Sequence, residues 1–174
     1  MEGNWYMLTV VGKDKPGIVA SITEALFNEQ CNFGEASMSR LGGNFTIMLM
    51  VQYSGEIQHL NEIVEPVARR LDLHCHIDAI EGHLHDHREP DVRISVYGPD
   101  RTGIVAHVTG TLAKAGLEIY DLESDVGGSD DKPVYIMYID GHAANGIEAL
   151  RKALQAESAL GIETHLEEID TIVG

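Results

Sequence analysis

Gly12-Lys13-Asp14-Lys15-Pro16-Gly17-Ile18-Val19-Ala20 returns 86 residues later as Gly98-Pro99-Asp100-Arg101-Thr102-Gly103-Ile104-Val105-Ala106. Each copy follows a stretch with apolar residues at alternate positions, Tyr6, Leu8 and Val10 or Val92, Ile94 and Val96. That spacing predicts a strand with one face on a core. Each copy leads into apolar residues four apart, Ile18, Ile22 and Leu26 or Ile104, Val108 and Leu112, with Val19 or Val105 widening the stripe. That spacing predicts a helix packed on the same face. Working outward, Tyr6 to Phe33 aligns without gaps on Val92 to Ile119, with identities at Val10, Gly12, Asp14, Gly17, Ile18, Val19, Ala20, Thr23 and Leu26. A match of that density marks an internal duplication. Past a three-residue insertion near Ser129, the alignment resumes at an offset of 89, pairing Ile47 with Ile136, Met48 with Met137, Leu71 with Leu160, His76 with His165 and Ile80 with Ile169.

Two further strands are expected over Asn32 to Leu41 and Asn44 to Tyr53, joined at Gly42-Gly43, where glycine supplies the positive φ of a tight hairpin. The second copy places its hairpin around Gly127-Gly128, with a longer acidic loop through Ser129, Asp130 and Asp131. A second helix carries Leu60, Ile63, Val64, Val67 and Leu71, matched by Ile147, Leu150 and Leu154. Pro66 inside it predicts a kink or break near Glu65, because proline lacks the amide donor and crowds the preceding turn. A last strand spans about Leu73 to Glu81 or Gly161 to Ile169. The order βαββαβ in each copy predicts an α+β protein of two ferredoxin-like domains, each a four-stranded antiparallel sheet in order 4-1-3-2 with two helices on one face. The expected boundaries are a first domain at 1–82, a His-rich linker at 83–90 and a second domain at 91–174. Cys31 and Cys75 fall on opposite sheet edges, which disfavours an internal disulfide, and both are read as thiols.

The chain has 174 residues, with 12 Lys plus Arg against 28 Asp plus Glu, a net charge of −16. The acidity is spread, about −7 over residues 1–87 and −9 over residues 88–174. Nucleic-acid affinity rests on Lys and Arg releasing counterions from phosphates, so direct nucleic-acid binding is excluded as an expectation. The apolar run Ile47 to Val51, like every other in the sequence, falls far short of the roughly 20 residues that span a bilayer. The start of the chain has no targeting pattern, and the expected location is cytoplasmic. No phosphate loop, dinucleotide fingerprint, nucleophile elbow or paired-Cys pattern occurs, so neither an enzyme nor a cofactor is expected. Met7, Met38, Met48, Met50 and Met137 read as core or interface filler.

Chemistry therefore concentrates in the duplicated loop. Asp14 and Asp100 stand where a carboxylate can accept the orphan amides of a helix start. Pro16 suits a first helical position. Gly17 and Gly103 let a ligand or another backbone approach closely, and the remaining N–H groups form a seat for a carboxylate. A single D-x-x-G of this kind needs no more than a capping role; two copies in one chain point to selection on the loop.

With Cys31-Asn32-Phe33 leading into the second strand, the D-x-P-G-I-V-A loop within a duplicated βαββαβ unit resembles the ACT domain, in the tandem arrangement of the glycine cleavage system transcriptional repressor family. The resemblance covers nearly the whole chain. It implies a non-enzymatic regulatory module that binds an amino acid, glycine or serine by that likeness, at an interface between ACT units. The effector-binding positions it implies are Asp14, Pro16, Gly17, Ile18 and Asn32, and Asp100, Gly103, Ile104 and Glu118. Thr102 and Glu118 depart from the pattern, and Glu118 sets a like charge against an effector carboxylate. Asn32 also has a plain reading as a residue bonding its own backbone. A transcriptional role for so acidic a chain implies a protein partner, and a homodimer is one way to complete the interfaces. Two other readings stay open: an assembly module without ligand, and a metal-binding protein using His83, His85 and His87, with His74 and His76 as a similar pair. His107, where the first copy has Ser21, either edges the effector site or lies on the surface.

Overall fold

A computed structural model describes residues 3–81, 89–99, 102–129, 132–157 and 161–169. The chain divides into two compact units, Met1–Asp86 and His87–Gly174. The first comprises β1 (Asn4–Lys13), α1 (Ile18–Asn28), β2 (Asn32–Leu41), β3 (Asn44–Tyr53), α2 (Ile57–Leu71) and β4 (Leu73–Ile80). Its sheet has the order β2-β3-β1-β4 with every neighbouring pair antiparallel. The second comprises β5 (Val92–Pro99), α3 (Ile104–Lys114), β6 (Leu117–Ser129), β7 (Lys132–Ala143), α4 (Ile147–Gln155) and β8 (Glu163–Glu168), in the order β6-β7-β5-β8. Both are the α+β ferredoxin-like arrangement expected from the element order.

Each unit closes its own core. In the first, Tyr6, Leu8 and Val10 of β1 meet Phe45, Ile47, Leu49 and Val51 of β3 beneath Ile18, Ile22 and Leu26 of α1 and Leu60, Val64 and Val67 of α2. In the second, Val92, Ile94 and Val96 meet Met137 and Ile139 beneath Ile104, Val108 and Leu112 of α3 and Leu150 and Leu154 of α4. Burying a side chain of this size stabilises a domain by about 1.5–3 kcal/mol. Val105 joins the second core from its margin, whereas Val19 is exposed. Cys31 and Cys75 are free, at the β2 and β4 edges respectively.

Three local expectations are corrected. First, of the kink or break expected near Glu65, the break does not occur, since α2 continues through Pro66. Pro66 lies on the solvent face, where water can serve the carbonyl it leaves unbonded, while Val64, Val67 and Ala68 hold the opposite face in the core. Second, the second hairpin does not turn at Gly127-Gly128. Both glycines are inside the β6–β7 ladder, opposite Val134 and Pro133, and the last rung is Ser129 with Lys132. Asp130, Asp131 and Leu160 lie outside the described residues.

Third, the offset of 89 is one residue short across the third strand and second helix. Leu8 pairs with Leu49 and Ile94 with Ile139, while Leu60 and Leu150 occupy matching fully buried sites. The offset there is therefore 90, so the insertion extends the hairpin by four residues. One residue is lost again before the last strand, where Ile77 opposite Leu8 matches Leu166 opposite Ile94. Aligning Met48 with Met137 put an exposed side chain opposite one that is fully buried. A one-residue slip in a strand exchanges its faces.

On the second sheet, Arg93 Nε and Nη2 donate to Asp140 Oδ1 and Oδ2 at 2.7 and 2.6 Å. That hydrogen bonding holds the Asp140 carboxyl below its ordinary value of 3.8. A carboxylate depressed on folding contributes stability that is present above its unfolded pKa and lost as pH falls through its folded one. Asp140→Asn is therefore expected to lower the urea midpoint at pH 7, with the difference from the unmodified protein closing below about pH 4.

Candidate functional site

The two glycine corners share one geometry. Gly17 precedes α1 with φ 83° and ψ 5°, and Gly103 precedes α3 with φ 90° and ψ −1°. Their carbonyls accept the N–H of Ser21 and of His107, both at 2.9 Å. Neither helix start carries a side-chain cap or an acidic residue in its first turn. A β-carbon added at either glycine would meet nothing within 4 Å. The first-turn amides of Ile18 and Ile104 thus open on unfilled space at the positive end of a helix.

Two expected roles are corrected by this arrangement. Asp14 does not cap α1: its N–H donates to Gly43 O at 3.1 Å and its Oδ2 lies 3.1 Å from Arg40 Nε. Pro16 is not the first helical residue, because left-handed Gly17 stands between it and Ile18 and no helix propagates through a positive φ. Asp100 lies outside the described residues.

Arg40 was not foreseen. It pairs with Phe45 next to the Gly42-Gly43 turn, which folds it back on Asp14 across 26 positions of sequence. The available signal was that Arg40 is the only arginine before Arg69. Its counterpart in the second unit is Val126, opposite Tyr135.

Sheet register separates the remaining residues. Asn32 and Trp5 both stand opposite Gln52, whereas Lys13 and Leu41 both stand opposite Asn44. Asn32 is therefore at the far end of β2 from Gly17, roughly 25 Å away at ~3.3 Å per residue. Its Nδ2 donates to Gln52 Oε1 at 3.4 Å. Glu118, opposite His142, likewise starts β6 at the end remote from Gly103. His142 Nδ1 lies 2.6 Å from Asp91 Oδ2, so an acid and imidazole array replaces the neutral Asn32 and Gln52 pair. Within one unit, Asp14, Gly17, Ile18 and Arg40 come together and Asn32 does not.

His107 proves to be anchored. Its Nε2 is 2.9 Å from Glu157 Oε2, and Glu157 is the buried charged residue among those described, 2% exposed. That oxygen accepts no hydrogen bond, and His107 Nε2 is the polar atom that faces it. The matching positions in the first unit are Ser21 and Val67. His107→Ser is expected to cost about 1–3 kcal/mol by leaving the carboxylate buried alone. His107→Ser with Glu157→Val recovers most of the loss, since a buried ion pair and an apolar replacement are often equivalent. Urea titrations of the two variants read the difference directly.

Other chemistry is sparse. A cleft of about 690 Å³ lies between α2 and β4, lined by Val64, Ala68, Leu73, His74 and Cys75 among others. Burial, with Glu29 adding to it, pushes the Cys31 thiol up to about 11, and burial also raises Cys75, so neither is a thiolate at pH 7. Among the described residues no group of three or more His, Cys, Asp or Glu side chains is placed to hold a metal ion. His83, His85 and His87 fall outside the described residues.

An open glycine corner between the first strand and first helix of each of two βαββαβ units defines the class, a tandem of ferredoxin-like folds. The ACT domain profile matches residues 6–78 and 91–167, and the chain belongs to the ACT domain family. A UPF0237 protein of Listeria monocytogenes is 32% identical over 78 residues, 43% of this chain and 88% of that protein. The UPF0237 protein YjhC of Lactococcus lactis is 31% identical over 87 residues, 45% of this chain and 94% of its own. Both relatives match one unit's length. Over the whole chain, the crystal structure of an unknown protein from Galdieria sulphuraria superposes with a TM-score of 0.76 at 25% identity, covering 97% of this chain and 99% of that one. A protein provisionally assigned as a glycine cleavage system transcriptional repressor shares the fold, with a TM-score of 0.70 at 20% identity over 97% and 99% of the two chains.

Proposed function

We propose that this tandem ACT protein is a non-enzymatic amino-acid sensor whose competent corner is the first, and that glycine or serine is its effector. The observation that carries the reading is the open Gly17 corner beside the Asp14 and Arg40 pair. A zwitterion carries the same two charges. Its carboxylate takes the α1 amides with Arg40, and its ammonium takes Asp14. Glycine or serine is the effector that the resemblance to the tandem ACT repressors implies. Asn32 enters from a neighbouring sheet, since its own unit holds it at the opposite end. Gly103 and Ile104 offer the same backbone, but Val126 stands where the first unit has Arg40, so the second corner is weak or differently selective.

Binding that favours one packing of ACT sheets over another becomes a signal by differential affinity. With a net charge of −16, the protein passes that signal to a protein partner and not to DNA. Control of glycine cleavage or related amino-acid metabolism in the cytoplasm is the role we assign to it. No helix among the described residues is long and apolar enough to cross a membrane.

Isothermal titration with glycine and serine tests this. Saturable binding at one site per chain is expected, weakened about tenfold or more in Arg40→Met by loss of a charge-assisted contact. Absence of heat and of thermal shift with every common amino acid overturns it.

A further inference from the structure

Strand β4 forms one edge of the first sheet and bonds to β1 alone. Its eight residues, Leu73–Ile80, include a single acid, Asp78. A free strand edge is a template for another strand, and edges are ordinarily guarded by charge. β8, the equivalent edge of the second sheet, is guarded by Glu163, Glu167 and Glu168. Its groove against α4 is also bridged, because Arg151 Nη2 donates to Glu168 Oε1 at 2.9 Å. The register that matches Leu60 with Leu150 and Ile77 with Leu166 puts Asn61 and Ala79 at those two positions in the first unit. Asn61 Nδ2 donates to Ile57 O of its own helix and Ala79 has no polar side chain, so the groove between α2 and β4 lacks this bridge. Two clefts open along it, about 690 Å³ beside Leu73 and Cys75 and about 410 Å³ beside Ala79. Among the described residues lining them, His74 apart, Glu56, Glu62, Glu65 and Asp72 are acids and Arg69, already engaged by Glu65, is the cation.

We propose that the groove between α2 and β4 binds an extended segment of a partner protein rich in Lys or Arg, which adds to the first sheet as a new outer strand beside β4. Backbone pairing supplies the hold, and alternate side chains supply the selectivity. Strand side chains alternate between faces, so every second residue of the incoming segment turns to the α2 side, in line with Leu73, Cys75, Ile77 and Ala79. There a Lys or Arg lays its methylenes on Val64, Ala68 and Leu73 and reaches Glu62, Glu65 or Asp72 with its charge. On the other side Asp78 is already met by His76 Nε2 at 3.0 Å, so the selection for charge is made in the groove. An acidic segment is repelled, and the net charge of −16 steers a basic one inward. At ~3.3 Å per residue β4 is roughly 26 Å long, which seats a segment of its own length. As the route of an amino-acid signal the groove rests on the function proposed above; as a binding site it does not.

A peptide as long as β4, alternating Lys and Val and capped at both ends, tests this when titrated into the isotopically labelled full chain and followed by amide chemical shifts. Saturable shifts are expected at one peptide per chain, largest along β4 and α2. A peptide alternating Glu and Val reverses the charge, and one alternating Lys and Pro keeps the charge but removes every second backbone donor. Each is expected to bind about tenfold more weakly or worse. Transplanting the bridge of the second unit, Asn61→Arg with Ala79→Glu, leaves the net charge unchanged and is expected to weaken the Lys-Val peptide by about tenfold or more. Circular dichroism checks that this variant is folded. Glu62→Lys, exposed on α2, gives an independent reading, with binding weakened about threefold or more. No binding of the Lys-Val peptide, equal binding of the Lys-Pro peptide, shifts confined to the second unit, or undiminished affinity in either variant overturns the proposal. Peptide binding as described in a protein that binds no amino acid leaves the groove standing and removes the sensing function.

Discussion

Gly17→Val abolishes amino-acid binding, while Gly103→Val, at the same cost in stability, leaves it intact. The two glycines differ by only a few degrees, φ 83° and ψ 5° against φ 90° and ψ −1°. Both would receive a new side chain in open space. The stability cost is therefore backbone strain alone, about 1–2 kcal/mol for an L-residue in the left-handed region. The ligand effect separates them because the valine methyls at position 17 occupy the space in front of the α1 amides beside Asp14 and Arg40. Calorimetric titration with glycine and serine, alongside urea midpoints, measures both quantities. Equal loss of binding in the two variants shows that the charge match at the first corner does not decide occupancy. Unaltered binding in Gly17→Val removes the corner from the site altogether.

Leu8→Ala is expected to destabilise the first unit by about 2–5 kcal/mol, the range for deleting a fully buried leucine and leaving a cavity. Leu8 is wholly buried and central in its sheet, between Leu49 and Ile77. Every member of its core cluster belongs to the first unit, so the loss has no relief from outside. Against a typical domain stability of about 5–15 kcal/mol, this approaches unfolding. Native-state hydrogen exchange at the amides of β1, β3 and α1 reads the effect. Exchange there slower than that cost permits contradicts the core as described.

Some of this was legible before any coordinates. Alternation at Tyr6, Leu8 and Val10 and four-residue spacing at Ile18, Ile22 and Leu26 are properties of near neighbours, and all six side chains are buried where that periodicity puts them. The Gly42-Gly43 turn was readable for the same reason, with φ of 56° and 76°. Asp14 was misread because a capping pattern and a tertiary ion pair use the same residue, and only the folded hairpin brings Arg40 within reach. Glu157 gave no signal in the sequence, because the histidine that meets it, His107, lies 50 positions earlier.

The amino-acid sequence by itself determined that one βαββαβ unit is written twice, with glycine at the mouth of each first helix, because periodicity and turn chemistry are encoded over a few consecutive residues. Tertiary structure alone decided the offset of 90 across β7 and α4, the pairing of Asp14 with Arg40, and the placement of Gly17 and Asn32 at opposite ends of β2. Each depends on strand register, where a shift of one residue reverses every side chain's face and the choice is made by cross-strand packing between residues far apart in the chain.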